Sequence, residues 1–175
     1  MKVEAEIMRE INIRDIGISA PELISDRWGL VTCRSGEKFN SMTVSWGALG
    51  EIWGKDSVFV FIRSSRYTYG FMEKERLFTL SFYDEKYKGI LGKIFGASSG
   101  RDTDKTAASG FTPVFTDDTV TYKEAKYTLV CKTMASQEIS ESGFIDPDIK
   151  KWYGADSAHK MYIAEILKVY ENDAR

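Results

Sequence analysis

Strand patterns dominate the hydrophobic and polar positions of this chain. In residues 76–82, RLFTLSF, Phe78, Leu80 and Phe82 fall on one face, the pattern of a strand with one side on a core. Residues 57–62, SVFVFI, are apolar at consecutive positions, which predicts a central strand covered on both faces. Residues 126–139 and 160–170 predict two long strands. Residues 29–35 followed by 39–49 predict a hairpin across SGEK, with Gly36 supplying the positive φ.

Helical periodicity is rarer. Asp84 can cap a helix that aligns Tyr87, Ile90, Leu91, Ile94 and Phe95, with Gly96 past its end. Residues 66–75 predict a short helix weakened by Gly70, and residues 102–109 another, capped by Asp102. Pro21, Pro113 and Pro147 mark loops. Many strands of similar length with helices between them predict a mainly β domain with helical insertions, an antiparallel closed barrel.

One run does not suit a strand that only fills a core. NSMTVSWGALG, residues 40–50, opens on small and polar side chains and ends in glycine-rich backbone. Such a strand lets a flat ligand lie against its backbone, where free N–H and C=O groups can read a heterocycle edge.

Composition narrows the function classes. The chain has 175 residues, 43% hydrophobic and 29% charged, which suits one soluble domain with a sizeable core. A net charge of −2 gives no long-range field for nucleic acid or an anionic membrane, so an anion site must be a local cluster. Residues 1–19 are broken by acids and hold no apolar leader segment. The longest apolar run, residues 58–62, is too short to span a bilayer. Cys33 and Cys131 form no CxxC and read as reduced, buried thiols of a cytoplasmic protein.

Several catalytic motifs fail. GALGEIWG lacks the GxGxxG spacing, GKIFGASSGR lacks the P-loop lysine at its proper gap, and SGEK matches S-x-x-K inside a turn without its partner motifs. A single histidine and two separated cysteines give no metal set. No G-x-S-x-G elbow accompanies His159.

Two clusters remain. IRSSRYTYG, residues 62–70, gathers Arg63, Ser64, Ser65, Arg66 and Thr68 directly after the most apolar strand. It reads either as an anion cradle of forked arginines and hydroxyls or as a solvated loop that caps a helix. SSGRDTDK, residues 98–105, reads either as a surface loop or as a source of Arg101 or Lys105 for the same anion. A phosphate at one end and a heterocycle along residues 40–50 together describe a mononucleotide-like cofactor.

In that order, NSMTVSWGALG, VFVFIRSSRYTYGFM, LFTLSF, SSGRDTDK and HKMYIAEI resemble the flavin reductase-like proteins, the FMN-binding split-barrel family that includes flavoredoxin-type proteins. The resemblance runs from Trp28 to Val169 and leaves residues 1–25 as an N-terminal extension of a single domain, 1–175. It implies a six-stranded antiparallel Greek-key split barrel that forms a homodimer, with FMN near the dimer interface. Ser41, Met42, Thr43, Ser45 and Trp46 then match the flavin-ring side. Arg63, Ser64, Ser65, Arg66, Thr68 and Lys105 match the phosphate side, and His159 matches a position near the flavin cleft. Trp46 and Trp53 read equally as core or interface aromatics.

The implied activity is hydride transfer from NAD(P)H to flavin, with no catalytic side chain required because the cofactor carries the chemistry. Electrons would pass on to oxygen, ferric iron, free flavin or a protein partner. Three alternatives stay open: a flavoredoxin-type carrier that exchanges electrons with redox proteins, a flavin-binding barrel without turnover, and a structural barrel with an empty cleft.

Overall fold

The computed structural model describes residues 8–154 and 158–172. Among the described residues ten strands form, in chain order: β1 (Met8–Ile11), β2 (Gly29–Ser35), β3 (Lys38–Val44), β4 (Gly47–Ile52), β5 (Lys55–Arg63), β6 (Leu77–Phe82), β7 (Pro113–Thr116), β8 (Thr119–Tyr122), β9 (Tyr127–Glu138) and β10 (His159–Asn172). All pairings are antiparallel. The main sheet runs β3-β2-β6-β9-β10-β5-β4, with β1 beside the far half of β10. The antiparallel, mainly β expectation is met, in a sheet of eight strands where six were expected. Strand β1 belongs to the expected N-terminal extension, of which residues 1–7 lie outside the described residues.

The hairpin across SGEK forms as expected, and Gly36 turns with φ 60°. The run 40–50, by contrast, is not one strand. It is the end of β3, a corner at Ser45 and Trp46, and the start of β4. The corner joins the two edges of the main sheet path. Those edges are not hydrogen-bonded to each other, so the barrel stays split beside β3. Gly47 explains the glycine at the corner: a Cβ there would lie 2.6 Å from the Phe59 carbonyl oxygen. Register shifts between β9 and β10, at Ile163/Ala164 and Ile166/Lys168, bend the sheet around its core.

Inside the curl, Val31, Cys33, Met42, Val60, Ile62, Phe78, Leu80, Leu129 and Tyr162 are buried together. A second cluster lies on the other face of β2 and β6, where Leu30, Tyr83, Leu91, Phe95, Phe111 and Tyr122 pack. Like β2, strand β6 is therefore covered on both faces. Its polar side is capped by hydroxyl bonds, Thr79 Oγ1 donating to the Val120 carbonyl (2.6 Å) and Ser81 Oγ hydrogen-bonded to Thr121 Oγ1 (2.9 Å). Strand β5, expected to be covered on both faces, buries Val58, Val60 and Ile62 but leaves Phe59 and Phe61 half-buried.

The helices keep the expected faces and shift at their ends. Residues 85–97 form one helical stretch that buries Leu91 and Phe95; Gly96 lies within it, before its end at Ala97. The third helix is Lys105–Ser109, capped by Asp104 rather than Asp102: the Asp104 carboxylate accepts from the Ala107 N–H (3.0 Å). Residues 66–75 yield one α turn, Tyr69–Met72. The three prolines begin elements rather than loops: Pro21 precedes the helical turns Glu22–Arg27, Pro113 opens β7 and Pro147 opens a 3₁₀ segment, Pro147–Trp152. Among the described residues, no helix is long and apolar enough to cross a membrane.

Candidate functional site

The split beside β3 is bordered by groups from four stretches of chain. At one end, β5 leaves the sheet through a tight turn in which the Arg66 N–H donates to the Arg63 carbonyl (3.0 Å). Beyond the turn, Thr68 is fully buried and its Oγ1 accepts from Asn40 Nδ2 (2.7 Å), which ties the turn to β3. Arg66 Nη2 donates to the carbonyls of Phe95 (3.2 Å) and Gly96 (2.8 Å) at the end of the helical stretch. Lys105 Nζ donates to the carbonyls of Ser41 (3.0 Å) and Phe95 (3.1 Å). The two cations thus converge on one carbonyl oxygen. Arg101 lies over the Tyr67 ring, 5.1 Å from its centroid, and its Nη1 donates to the Ser65 carbonyl (3.3 Å).

These groups surround a recess of about 180 Å³, lined by Asn40, Ser65, Arg66, Thr68, Ser99 and Lys105 among others. Gly100 forms part of its wall, where a Cβ would lie 2.0 Å from Asn40 Oδ1. Burial, and then the facing Arg66 guanidinium, pulls the Lys105 ammonium down to about 8. Two cations held together in this way favour an anion between them.

The other end is aromatic. Trp46, at the corner, is 39% exposed and meets Trp152 edge to face at 5.6 Å. The His159 ring lies 5.0 Å from Trp46, and its Nδ1 is 3.2 Å from the Tyr153 hydroxyl. Phe144 stacks on Tyr153 at 5.4 Å. The two ends are joined by Asn40 to Trp46, about 20 Å of chain at ~3.3 Å per extended residue.

The expected site residues divide between these ends and the core. Arg66, Thr68, Ser65 and Lys105 come together at the recess; Ser64 is exposed in the turn. Arg63 goes to the aromatic end: its Nη2 donates to the Trp152 carbonyl (2.7 Å) and its guanidinium sits 5.2 Å from the Tyr153 centroid. Ser41 turns inward, its Oγ bonded to Thr32 Oγ1 (2.8 Å) and the Tyr122 hydroxyl (2.9 Å). Met42 is buried in the core. Thr43 Oγ1 donates to the Leu91 carbonyl (2.6 Å), and Ser45 is half-buried at the corner. Of this run, Ser41 and Met42 bury their side chains, while Trp46 exposes its own. His159 joins Trp46. Cys33 is buried in the core, where burial pushes its thiol up to about 12.

Asn40, Trp152 and Tyr153 belong to these ends but were not among the expected site residues. Asn40 headed the quoted run and could have been found there; nothing in KKWYG marks Trp152 or Tyr153.

Solved structures share this fold at low identity. An FMN-binding domain of a flavin reductases-like enzyme from Shewanella baltica OS155 matches with a TM-score of 0.68 and 16% identity, over 94% of this chain and 77% of that one. The flavoredoxin of Desulfovibrio vulgaris (Miyazaki F) matches with a TM-score of 0.64 and 22% identity, over 83% and 69%. The styrene monooxygenase flavin reductase of Pseudomonas putida S12 matches with a TM-score of 0.63 and 15% identity, over 85% and 80%. Among curated proteins none matches the chain. The model of the flavin reductase like domain matches residues 24–175, and with that match over most of its length the chain belongs to the flavin reductase-like domain family.

Proposed function

We propose that the chain holds FMN along Asn40–Trp46 and passes hydride from NAD(P)H to it. The observation that carries this is the recess at the start of that run. Arg66, Arg101 and Lys105 bring three cations to a space that also takes hydroxyls from Ser65, Ser98, Ser99 and Thr68. That donor set fits a phosphate monoester. Arg66, Lys105, Ser65 and Thr68 would hold the phosphate, with Arg101 at its rim. Backbone of Ser41 to Ser45 and the Trp46 side chain would border the ring.

When bound, flavin supplies the redox chemistry: it takes up the hydride that the nicotinamide loses and returns the electrons to an acceptor. The chain's part is placement. The Lys105 and Arg66 bonds to the Phe95 carbonyl fix both cations before any ligand arrives, so little ordering is left for binding. The buried hydroxyl chain from Thr32 through Ser41 to Tyr122 holds β3 rigid beside the split. On the outer face, half-buried Phe59, Phe61 and Met161 with exposed Ala48 make an apolar strip that supports a homodimer. Reduced buried thiols suit the cytoplasm.

The exposed Trp46–Trp152 edge favours one second reading, a flavoredoxin-type carrier in which a redox protein delivers the electrons. The first test is an absorbance spectrum of purified protein, repeated without oxygen after NADH and then NADPH. Flavin bands that bleach with either nucleotide support the reductase. Bands that persist with both move the assignment to the carrier. Protein that is colourless and takes up no added FMN refutes the flavin reading.

A further inference from the structure

The segment between β9 and β10 brings Phe144, Trp152 and Tyr153 to the aromatic end of the cleft, where Arg63 and His159 of the sheet hold it. Arg63, the last residue of β5, bonds the Trp152 carbonyl at 2.7 Å and lies 5.2 Å from the Tyr153 centroid. In register it stands opposite His159, the first residue of β10. Trp152 and Tyr153, which the guanidinium contacts, themselves touch Trp46 and His159: Trp152 meets Trp46, and Tyr153 meets His159.

We propose that Arg63 is a positioning residue of the ring end and not a phosphate ligand. It holds Trp152 against Trp46, beside His159, as the wall on which a planar nicotinamide donor is oriented. The inference rests on the flavin reading, which makes Trp46 a ring-side residue. Within that reading the geometry is specific. Trp152 is 57% exposed although it is packed on another indole, and the flexible Lys151 side chain, its Nζ 5.8 Å from the ring centroid, is the group a planar ligand would displace from its face. A guanidinium on a main-chain carbonyl and an aromatic face holds the segment without taking up either indole. The turn separates two roles that adjacent arginines would otherwise share: Arg66 faces the recess and Arg63 faces the wall.

The test compares Arg63→Ala, Trp152→Ala and the double variant, with Arg66→Ala as the phosphate control. Binding of FMN and riboflavin is titrated without donor, and the coupled-indole circular dichroism band of Trp46 and Trp152 is recorded. With Arg63→Ala, affinity for both flavins should stay within about twofold of wild type. The indole band should fade, and KM for the nicotinamide donor should rise about 3- to 10-fold, the size of a lost aromatic contact, with kcat little changed. The double variant should be no worse than Trp152→Ala alone, because Arg63 acts through Trp152. Loss of FMN affinity with riboflavin binding intact would make Arg63 a phosphate ligand and overturn the proposal. A faded indole band with unchanged donor KM would overturn the donor wall. Wild-type protein that binds flavin yet is reduced by neither nucleotide would refute the hydride reading and the donor wall together, and leave the flavin titrations to judge Arg63.

Discussion

The Lys105 ammonium makes the proposed phosphate site testable by pH alone. In the flavin-free protein its pKa lies at about 8, drawn down from 10.5 by burial and by Arg66. A bound phosphate dianion supplies the missing counter-charge and keeps the ammonium protonated well past pH 9. FMN must then bind the charged form. At pH 7 roughly nine-tenths of the lysine is charged, and at pH 9.5 about 3%, so FMN affinity should weaken about 30-fold across that interval. Riboflavin has the same ring and no phosphate, so its titration removes any contribution of the ring itself. The assay is equilibrium binding of both flavins by fluorescence from pH 7 to 9.5, in wild type and Lys105→Met. Wild type should show the slope with FMN only, and Lys105→Met should bind FMN weakly at every pH without the slope. The sign for folding is the reverse. The folded pKa lies below the unfolded one, so the penalty of the buried charge fades as pH rises from about 8 to 10.5. Parallel FMN and riboflavin profiles, or a slope that survives in Lys105→Met, would refute the reasoning.

Other perturbations reach different parts of the argument. Arg66→Ala should weaken FMN by about 1.5–3 kcal/mol, a charge-assisted bond's worth, while riboflavin affinity changes little; equal losses would remove Arg66 from the phosphate. Gly47→Ala pushes a methyl to 2.6 Å from a backbone carbonyl, so it should destabilise the fold by about 1–3 kcal/mol in urea denaturation; wild-type stability would show that the corner has room. Cys33 and Cys131 are both buried with thiols raised by desolvation. Neither should react with iodoacetamide at pH 8 until denaturant is added, and rapid labelling of the native protein would contradict the burial.

Strand positions, helix faces and the arginine and hydroxyl cluster after β5 were readable in the sequence, because each depends on local pattern. Phe78, Leu80 and Phe82 had to share a face whatever the topology. The reading of β5 went too far because consecutive apolar residues look alike whether the second face meets a helix, another copy or water. Phe59 and Phe61 are only half-buried within one chain. Strand β6 erred the other way: Thr79 and Ser81 look like solvent positions until the β7–β8 hairpin supplies hydroxyl and carbonyl partners. That hairpin was missed although VFTDDTVTY alternates around a turn; Asp117 and Asp118 take φ 47° and 59°, a conformation that aspartate tolerates better than most residues. Arg63 and Arg66 are alike in sequence, and only the turn between them sends one to the recess and the other to Trp152.

The corner at Ser45 and Trp46 also governs the order in which the molecule can assemble. Hairpins β2–β3 and β4–β5 are local, and two residues connect them, yet they close opposite margins of the main sheet path. Everything between those margins, β6, β9 and β10, is synthesised later and has to be inserted. Strand β5 waits for β10 across roughly a hundred residues, so loop closure is slow and the fold belongs among the millisecond-to-second folders rather than the microsecond ones. Until the insertion is complete, β2 and β5 each offer a bare edge to other chains. The cleft beside β3 exists only once the last strand is home, which makes ligand uptake by the nascent chain a direct clock for completed folding.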